Sequence, residues 1–274
     1  LLDAAQMTAA ANNIPGEYYY GIHVDGQLIS PDRINDFLAA DGSFTHHDDL
    51  SDFLTAVQNG SIDNNWGNPG PDDNVQPDQI NFSIMAPGTI FTMANEQYRY
   101  LENMGDNNHM IIRNAAIRNT NFSTMEQRTN DWYDGLDSSV QARVQRVSDN
   151  FVTGNVTGDE LTWTAGRWRW LPTNLDTFPE VAADETRVDS SGSPRAFILS
   201  LADVVRLSGP GRAFPDHEAR VGSGPEGDWW LLRTLATDGA WRVQRDPSIG
   251  VLSSHHAGSI LGWGGVRPAL IVRQ

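Results

Sequence analysis

"DWWLLRTLATDGAWRV" (Asp228–Val243) sets two tryptophans side by side and follows them with an arginine, a turn and a third tryptophan. Successive side chains alternate across a strand, so Trp229 and Trp230 point to opposite faces of the sheet that carries them. Both faces then need cover. The segment is expected near the centre of the fold, with the indoles serving as core before they serve as a stacking platform.

Working outward, "AWRVQR", "GVLSS" and the closing "GVRPALIV" read as further strands. Pro268 has no N–H to give a ladder, so the last strand is expected at an edge or with a bulge there. Upstream, "AFILS" reads as a buried strand, with a helix beginning at Ser200, a capping box completed by Asp203, and Gly209 and Pro210 ending it. The run "GTIFTMANEQYRYLENMGDNNHMIIRN" gives two or three consecutive strands turned at Asn95 and at Gly105 to Asn108, a β-meander. Between these, Ser123 and Glu126 have capping-box spacing ahead of Met125, Trp132, Tyr133 and Leu136 at helical intervals. Ser138 or Ser139 caps a second short helix presenting Val140, Val144 and Val147, and both helices are expected against the meander.

The first part of the chain reads differently. "LLDAAQMTAAANN" suits a short helix, either a plain arm or the exit of a stalk. "YYYGIHVDGQLIS" reads as a hairpin about Asp25-Gly26, followed by a helix capped at Ser30 and another after Asp48 or Asp49. Asn59 to Gln79 is rich in Asn, Asp, Gly and Pro without periodicity, a loop or linker. The expected division is residues 1–79, a small α+β region with its linker, and residues 80–274, a second domain.

A length of 274 residues and an apolar fraction of 39% suit a folded protein. The formal charge of −16 argues against nucleic acid and anionic bilayers as partners. All 19 basic residues are arginine and cysteine is absent, which removes Schiff-base lysines, thiol nucleophiles, thiolate metal sites and disulfides. No apolar run reaches bilayer length. The chain opens on Leu1, so a processed product whose leader, stalk or anchor has been removed is expected.

The succession "APGTIF", "YRYLENMGDNNHMIIRN", "NDWYDGL", "AFILSLADV", "DWWLLRT" and "GGVRPALIV" resembles an uncharacterised domain family of bacterial surface and secreted proteins, from about Ala86 to the C-terminus. That resemblance implies a C-type-lectin-like or formylglycine-generating-enzyme-like scaffold of twisted antiparallel sheet, flanking helices and long loops. It also implies that "GVRPALIV" pairs beside "GTIFTMA". The family's Trp-Trp-Leu-Arg-Ser-Pro stands here as "WWLLRTL", one residue longer and without the proline, so a bulge near Arg233 is needed to keep register.

Loops on such a scaffold carry function. The expected ligand contacts are Trp241, Arg242, Arg245, His255, His256 and Trp263, between the Trp-Trp strand and the last one, by stacking and bidentate hydrogen bonds. "RWRW" puts Trp168 and Trp170 on one face, a shelf for a glycan or a half-buried strand. The pairs His46-His47 and His255-His256 lack the geometry of a metal site, and "QPD" at Gln76 to Asp78 lacks the partner motif of a calcium-dependent lectin. Calcium remains open only through the oxygen-rich stretch Asp63 to Asn74, whose spacing is not that of an EF-hand. No catalytic motif is present, and formylglycine-generating chemistry needs a cysteine. The expectation is a non-catalytic extracellular or cell-surface module binding a glycan or a host protein. The alternatives are a structural subunit of a pilus or virion, self-assembling through its N-terminal region, and a carbohydrate-active hydrolase.

Overall fold

The computed structural model describes residues 70–164, 171–216, 218–221, 229–236, 239–244, 249–253 and 264–274. The chain divides into two compact units, Leu1–Ser61 and Ile62–Gln274, and every described residue belongs to the second. The N-terminal helices and hairpin and the Arg167–Trp170 segment fall outside the described residues.

The meander forms as its alternation requires. Strands β2 (Ile90–Met93), β3 (Glu96–Gly105) and β4 (Asn108–Arg113) run antiparallel in succession. Both hairpins turn on left-handed residue pairs, Ala94 and Asn95 at φ 49° and 66° and Asp106 and Asn107 at φ 52° and 59°. Two successive positive φ values match the twist of the flanking strands, which is why Asn and Asp stand there. Part of the stretch read as linker is ordered into this sheet: β1 (Asn74–Val75) pairs parallel with β2, and Pro77 is buried.

The chain continues through β5 (Ile117–Arg118), α1 (Met125–Asp134), α2 (Ser138–Gln141), β6 (Arg146–Val147), α3 (Pro179–Ala182), β7 (Ser193–Pro194), β8 (Phe197–Ile198) and α4 (Leu201–Arg206). It ends in β9 (Trp229–Ala236), β10 (Gly239–Val243), β11 (Ile249–Ser253), β12 (Gly264–Val266) and β13 (Pro268–Arg273). A six-stranded sheet has the order β1-β2-β3-β4-β13-β8, and a five-stranded sheet the order β11-β10-β9-β12-β5. The class is α+β, mostly sheet with a few short helices.

The closing segment differs from expectation in two ways. "GVRPALIV" does not lie beside "GTIFTMA": β13 pairs with β4 on one side and β8 on the other. The strand is therefore interior and not at an edge. Pro268 is tolerated because it is the first residue of β13, where the chain leaves the five-stranded sheet at Arg267 and enters the other. Gly265 on β12 is held close to β5, since a Cβ there would stand 2.0 Å from the Ile117 carbonyl oxygen.

Both faces of the six-stranded sheet are covered, and alternate residues show it. On β4, Met110 and Ile112 enter a core shared with β9 and β10, while Ile111 enters a second core with Phe82, Phe91, Tyr98 and Tyr100. On β13, Ala269 and Ile271 face the first core, Leu270 and Val272 the second. Helices α1 and α2 cover that second core with Trp132, Tyr133 and Val140, and Trp132 donates its indole N–H to Glu96 on β3 at 3.0 Å. The helices thus lie against the meander as expected, but α2 ends at Gln141 and presents only Val140; Val144 follows it into the same core, and Val147 lies on β6 in the first core.

The adjacent tryptophans part as strand geometry demands. Trp230 is fully buried in the shared core and donates to the Arg220 carbonyl at 2.8 Å. Half-buried Trp229 turns to the other face, beside Leu231, Phe122 and Met125, with the Arg242 guanidinium 5.2 Å from its ring centre. A bulge does fall beside Arg233: Ala240 pairs with Leu235 and Arg242 with Leu231, so Leu232, Arg233 and Thr234 stand opposite Trp241 alone, a shift of two residues that leaves the faces on either side unswapped.

Capping held in one helix and changed in the other. Ser200 and Asp203 form the reciprocal box of α4. Ser123 does not cap α1; the residue before the helix is Thr124, and the Asn121 carboxamide oxygen accepts from Ser123, from the Thr124 hydroxyl and from the Thr124 N–H. The Asn121 side chain thus takes the acceptor role in this turn, and Ser123 is one of its donors. At α2 the cap is Asp137 rather than Ser138 or Ser139, accepting from the Ser139 N–H at 2.8 Å. Among the described residues no helix is long and apolar enough to cross a membrane.

Candidate functional site

Of the residues the sequence put forward, Trp241 is corrected to a core role. It is fully buried, donates its indole N–H to the Val156 carbonyl at 3.0 Å and packs 5.9 Å from the Trp163 ring. The cause is its parity on β10, where Trp241 and Val243 share the inward face and Arg242 takes the other. Arg242 lies over Trp229 and donates to the Gln244 side chain at 3.3 Å. Arg245, His255, His256, Trp263, Trp168 and Trp170 lie outside the described residues.

A cavity formed by described residues lies elsewhere. It has a volume of about 250 Å³ and lies between the first turn of α1, the loop at Asp149 to Thr153, and β8 with β9. Met125, Phe151 and Phe197 give it apolar walls, and two acids, Glu126 and Asp149, and two arginines, Arg195 and Arg233, give it charge. Phe151 and Phe197 stand 6.3 Å apart.

Arg233 forms the floor. Its guanidinium stacks 4.1 Å from the centre of the Phe151 ring. On its other side Nε and Nη2 donate to one Asp184 carboxylate oxygen at 2.9 and 2.7 Å, and Nη1 donates to Thr186 Oγ1 and to the Ile198 carbonyl. Asp203 stands 3.2 Å from Nη1, fully buried, and also accepts from the N–H groups of Ser200 and Thr186. The network continues to the far side of α4, where Arg206 pairs with Asp203 at 3.1 Å and with Glu102. Burial pushes the Asp184 carboxyl above the ordinary carboxylate range, and the hydrogen bonds and charge of Arg233 pull against that. Its second oxygen is buried without a hydrogen-bond partner.

Arg195 and Glu126 form the rim. Arg195 donates through Nε to its neighbour's carbonyl at Ala196, through Nη1 to the Asp149 carbonyl at 3.2 Å, and through Nη2 to Glu126 at 3.1 Å. The Arg195 side chain is 19% exposed and that of Glu126 71%. Two backbone carbonyls fix the arginine, while the carboxylate projects from the first turn of a helix into water. Its negative charge suits that position.

Sequence reading missed this cavity because its parts come from four separated segments. The available signal was the register problem at Arg233: a charged residue in a central strand must find buried acids. Among the described residues no group of three or more His, Asp or Glu side chains is placed to hold a metal ion. No family model matches the chain, and no curated protein or solved structure matches it either.

Proposed function

We propose that this chain is a non-catalytic ligand-binding module, adhesin-like in role, displayed at or outside the cell surface and recognising a glycan or a protein. Its scaffold is read as a relative of the C-type-lectin-like group, on the strength of the closing strand's return into the meander sheet and the two helices packed on that sheet. One observation supports the binding role most: a small cavity whose floor is a buried ion-pair network and whose rim is an exposed carboxylate beside a fixed guanidinium and aromatic walls. A rigid floor with a few polar groups at the mouth is the usual build of a binding site.

The test is an array of glycans and surface proteins probed with the purified chain, with product analysis of every bound glycan. Retention of a defined ligand class without turnover is the expected result, weakened by substitution at Glu126. Turnover of a bound glycan contradicts the non-catalytic reading. Retention that no cavity substitution alters contradicts the assignment of the site.

A further inference from the structure

The polar groups of this cavity are unequally available, and that inequality selects a ligand. Every guanidinium nitrogen in its wall is already engaged: those of Arg195 on Ala196, Asp149 and Glu126, those of Arg233 on Asp184, Thr186 and Ile198. An incoming carboxylate or phosphate finds no idle donor on Arg233, and on Arg195 only the second N–H of each Nη, of which Nη2 is already paired with Glu126. It also meets the Glu126 carboxylate, 71% exposed at the mouth, and a chain of formal charge −16. A cation, in turn, meets two fixed guanidinium charges in one wall. What stays open is mixed: Glu126 engages Arg195 through one carboxylate oxygen and keeps the other to accept, while Arg195 keeps one N–H on each Nη to donate, a match for hydroxyl groups, which do both.

We infer that the cavity takes a neutral, hydroxyl-rich ring, a single uncharged sugar unit, whose hydroxyl groups donate to Glu126 and whose C–H face lies on Phe151, Phe197 and Met125. This rests on the ligand-binding reading above. The dimensions agree: about 250 Å³ falls below the ~300 Å³ at which cavities for drug-sized ligands begin, and so suits one ring. A hydroxyl donating to a carboxylate makes a charge-assisted hydrogen bond, stronger than one to a neutral acceptor. Glu126 is therefore the specificity-determining group, and Arg195 the positioning residue that holds it over the mouth.

Titration calorimetry, supported by saturation-transfer NMR, with methyl hexosides, methyl glucuronide and methyl glucosaminide as probes tests this. Neutral hexosides are expected to bind at least tenfold more tightly than the glucuronide or the protonated amino sugar. Glu126→Gln, at an exposed position where folding is not at stake, is expected to weaken the neutral sugar several-fold and to narrow the gap to the glucuronide. Glu180→Gln, a control on exposed α3, leaves both unchanged. Tighter binding of glucuronide than of any hexoside overturns the inference while leaving a binding site in place. Absence of binding by every sugar, with an array-selected protein lost on Glu126→Gln, does the same. Binding that is indifferent to Glu126 overturns the inference and the site together.

Discussion

Arg233 and Arg195 face the same cavity, yet one is built into the core and the other into the surface. Arg233 is 6% exposed and spends every nitrogen on groups that are themselves buried. Arg195 pairs through Nη2 with a carboxylate that is mostly in water. An exposed pair contributes about 0–1 kcal/mol, whereas removing one member of a buried pair costs about 3–5 kcal/mol because it strands the other charge. The floor thus belongs to the stability of the fold, and the rim is free to serve a ligand.

The largest effect expected from this contrast is at the floor. Arg233→Met leaves Asp184 buried without its cation and Asp203 with Arg206 alone, and is expected to lose about 3–5 kcal/mol in urea unfolding. Adding Asp184→Asn to that variant should restore part of the loss, because the stranded charge is removed with its partner. A loss under about 1 kcal/mol for Arg233→Met breaks the comparison.

Arg267 sharpens it. This arginine is also fully buried, but its donors go to carbonyls, Nε to Arg113 at 2.9 Å and Nη1 to Arg220 at 3.0 Å, and its guanidinium lies 5.3 Å from the Trp230 ring. No acid pairs with it among the described residues. Burial, with Arg99 and Arg113 adding repulsion, brings its pKa down to about 9. Arg267→Met removes a desolvated charge, and the Arg220 carbonyl keeps its bond from Trp230. The net loss is expected near 1 kcal/mol or less. Burial alone is then not what makes Arg233 costly; stranded acids are.

A smaller and purely pH-dependent effect comes from His109. It is 2% exposed, stacked 5.2 Å from Phe82, with Nδ1 3.0 Å from the Tyr100 hydroxyl, and burial holds its pKa below the ordinary 6.5. The unfolded chain therefore takes up the proton first. Stability is full above 6.5 and falls as pH drops through that value toward the folded pKa. In His109→Phe the slope of unfolding free energy between neutral and mildly acid pH is expected to flatten, whatever the baseline cost. An unchanged slope removes His109 as its source.

Local structure was legible in the sequence where a few adjacent residues decide it. Asn95 and Asp106-Asn107 marked the hairpins, the Ser200-Asp203 spacing marked α4, and the alternation at Trp229 and Trp230 gave one indole to each face. Pairing was not legible. "PALIV" shows that both its faces are buried, but the same pattern fits beside β2 or β4, and only the completed sheet selects β4. Asp184 and Arg233 are 49 residues apart, and nothing in their local sequence joins them. The rim was hidden for the same reason, since Glu126 and Arg195 meet only after α1 docks near β8. Trp241 faces inward because it shares the parity of Val243 on β10, and alternation alone does not say which face of that strand meets the core.

The separation of floor from rim is tested most directly by measuring the unfolding free energies of Arg233→Met and Glu126→Gln side by side in one buffer. A loss of about 3–5 kcal/mol for the first, against a change within about 0.5 kcal/mol for the second, is the predicted result. Comparable losses in the two variants contradict it, because Glu126 would then be part of what holds the fold together.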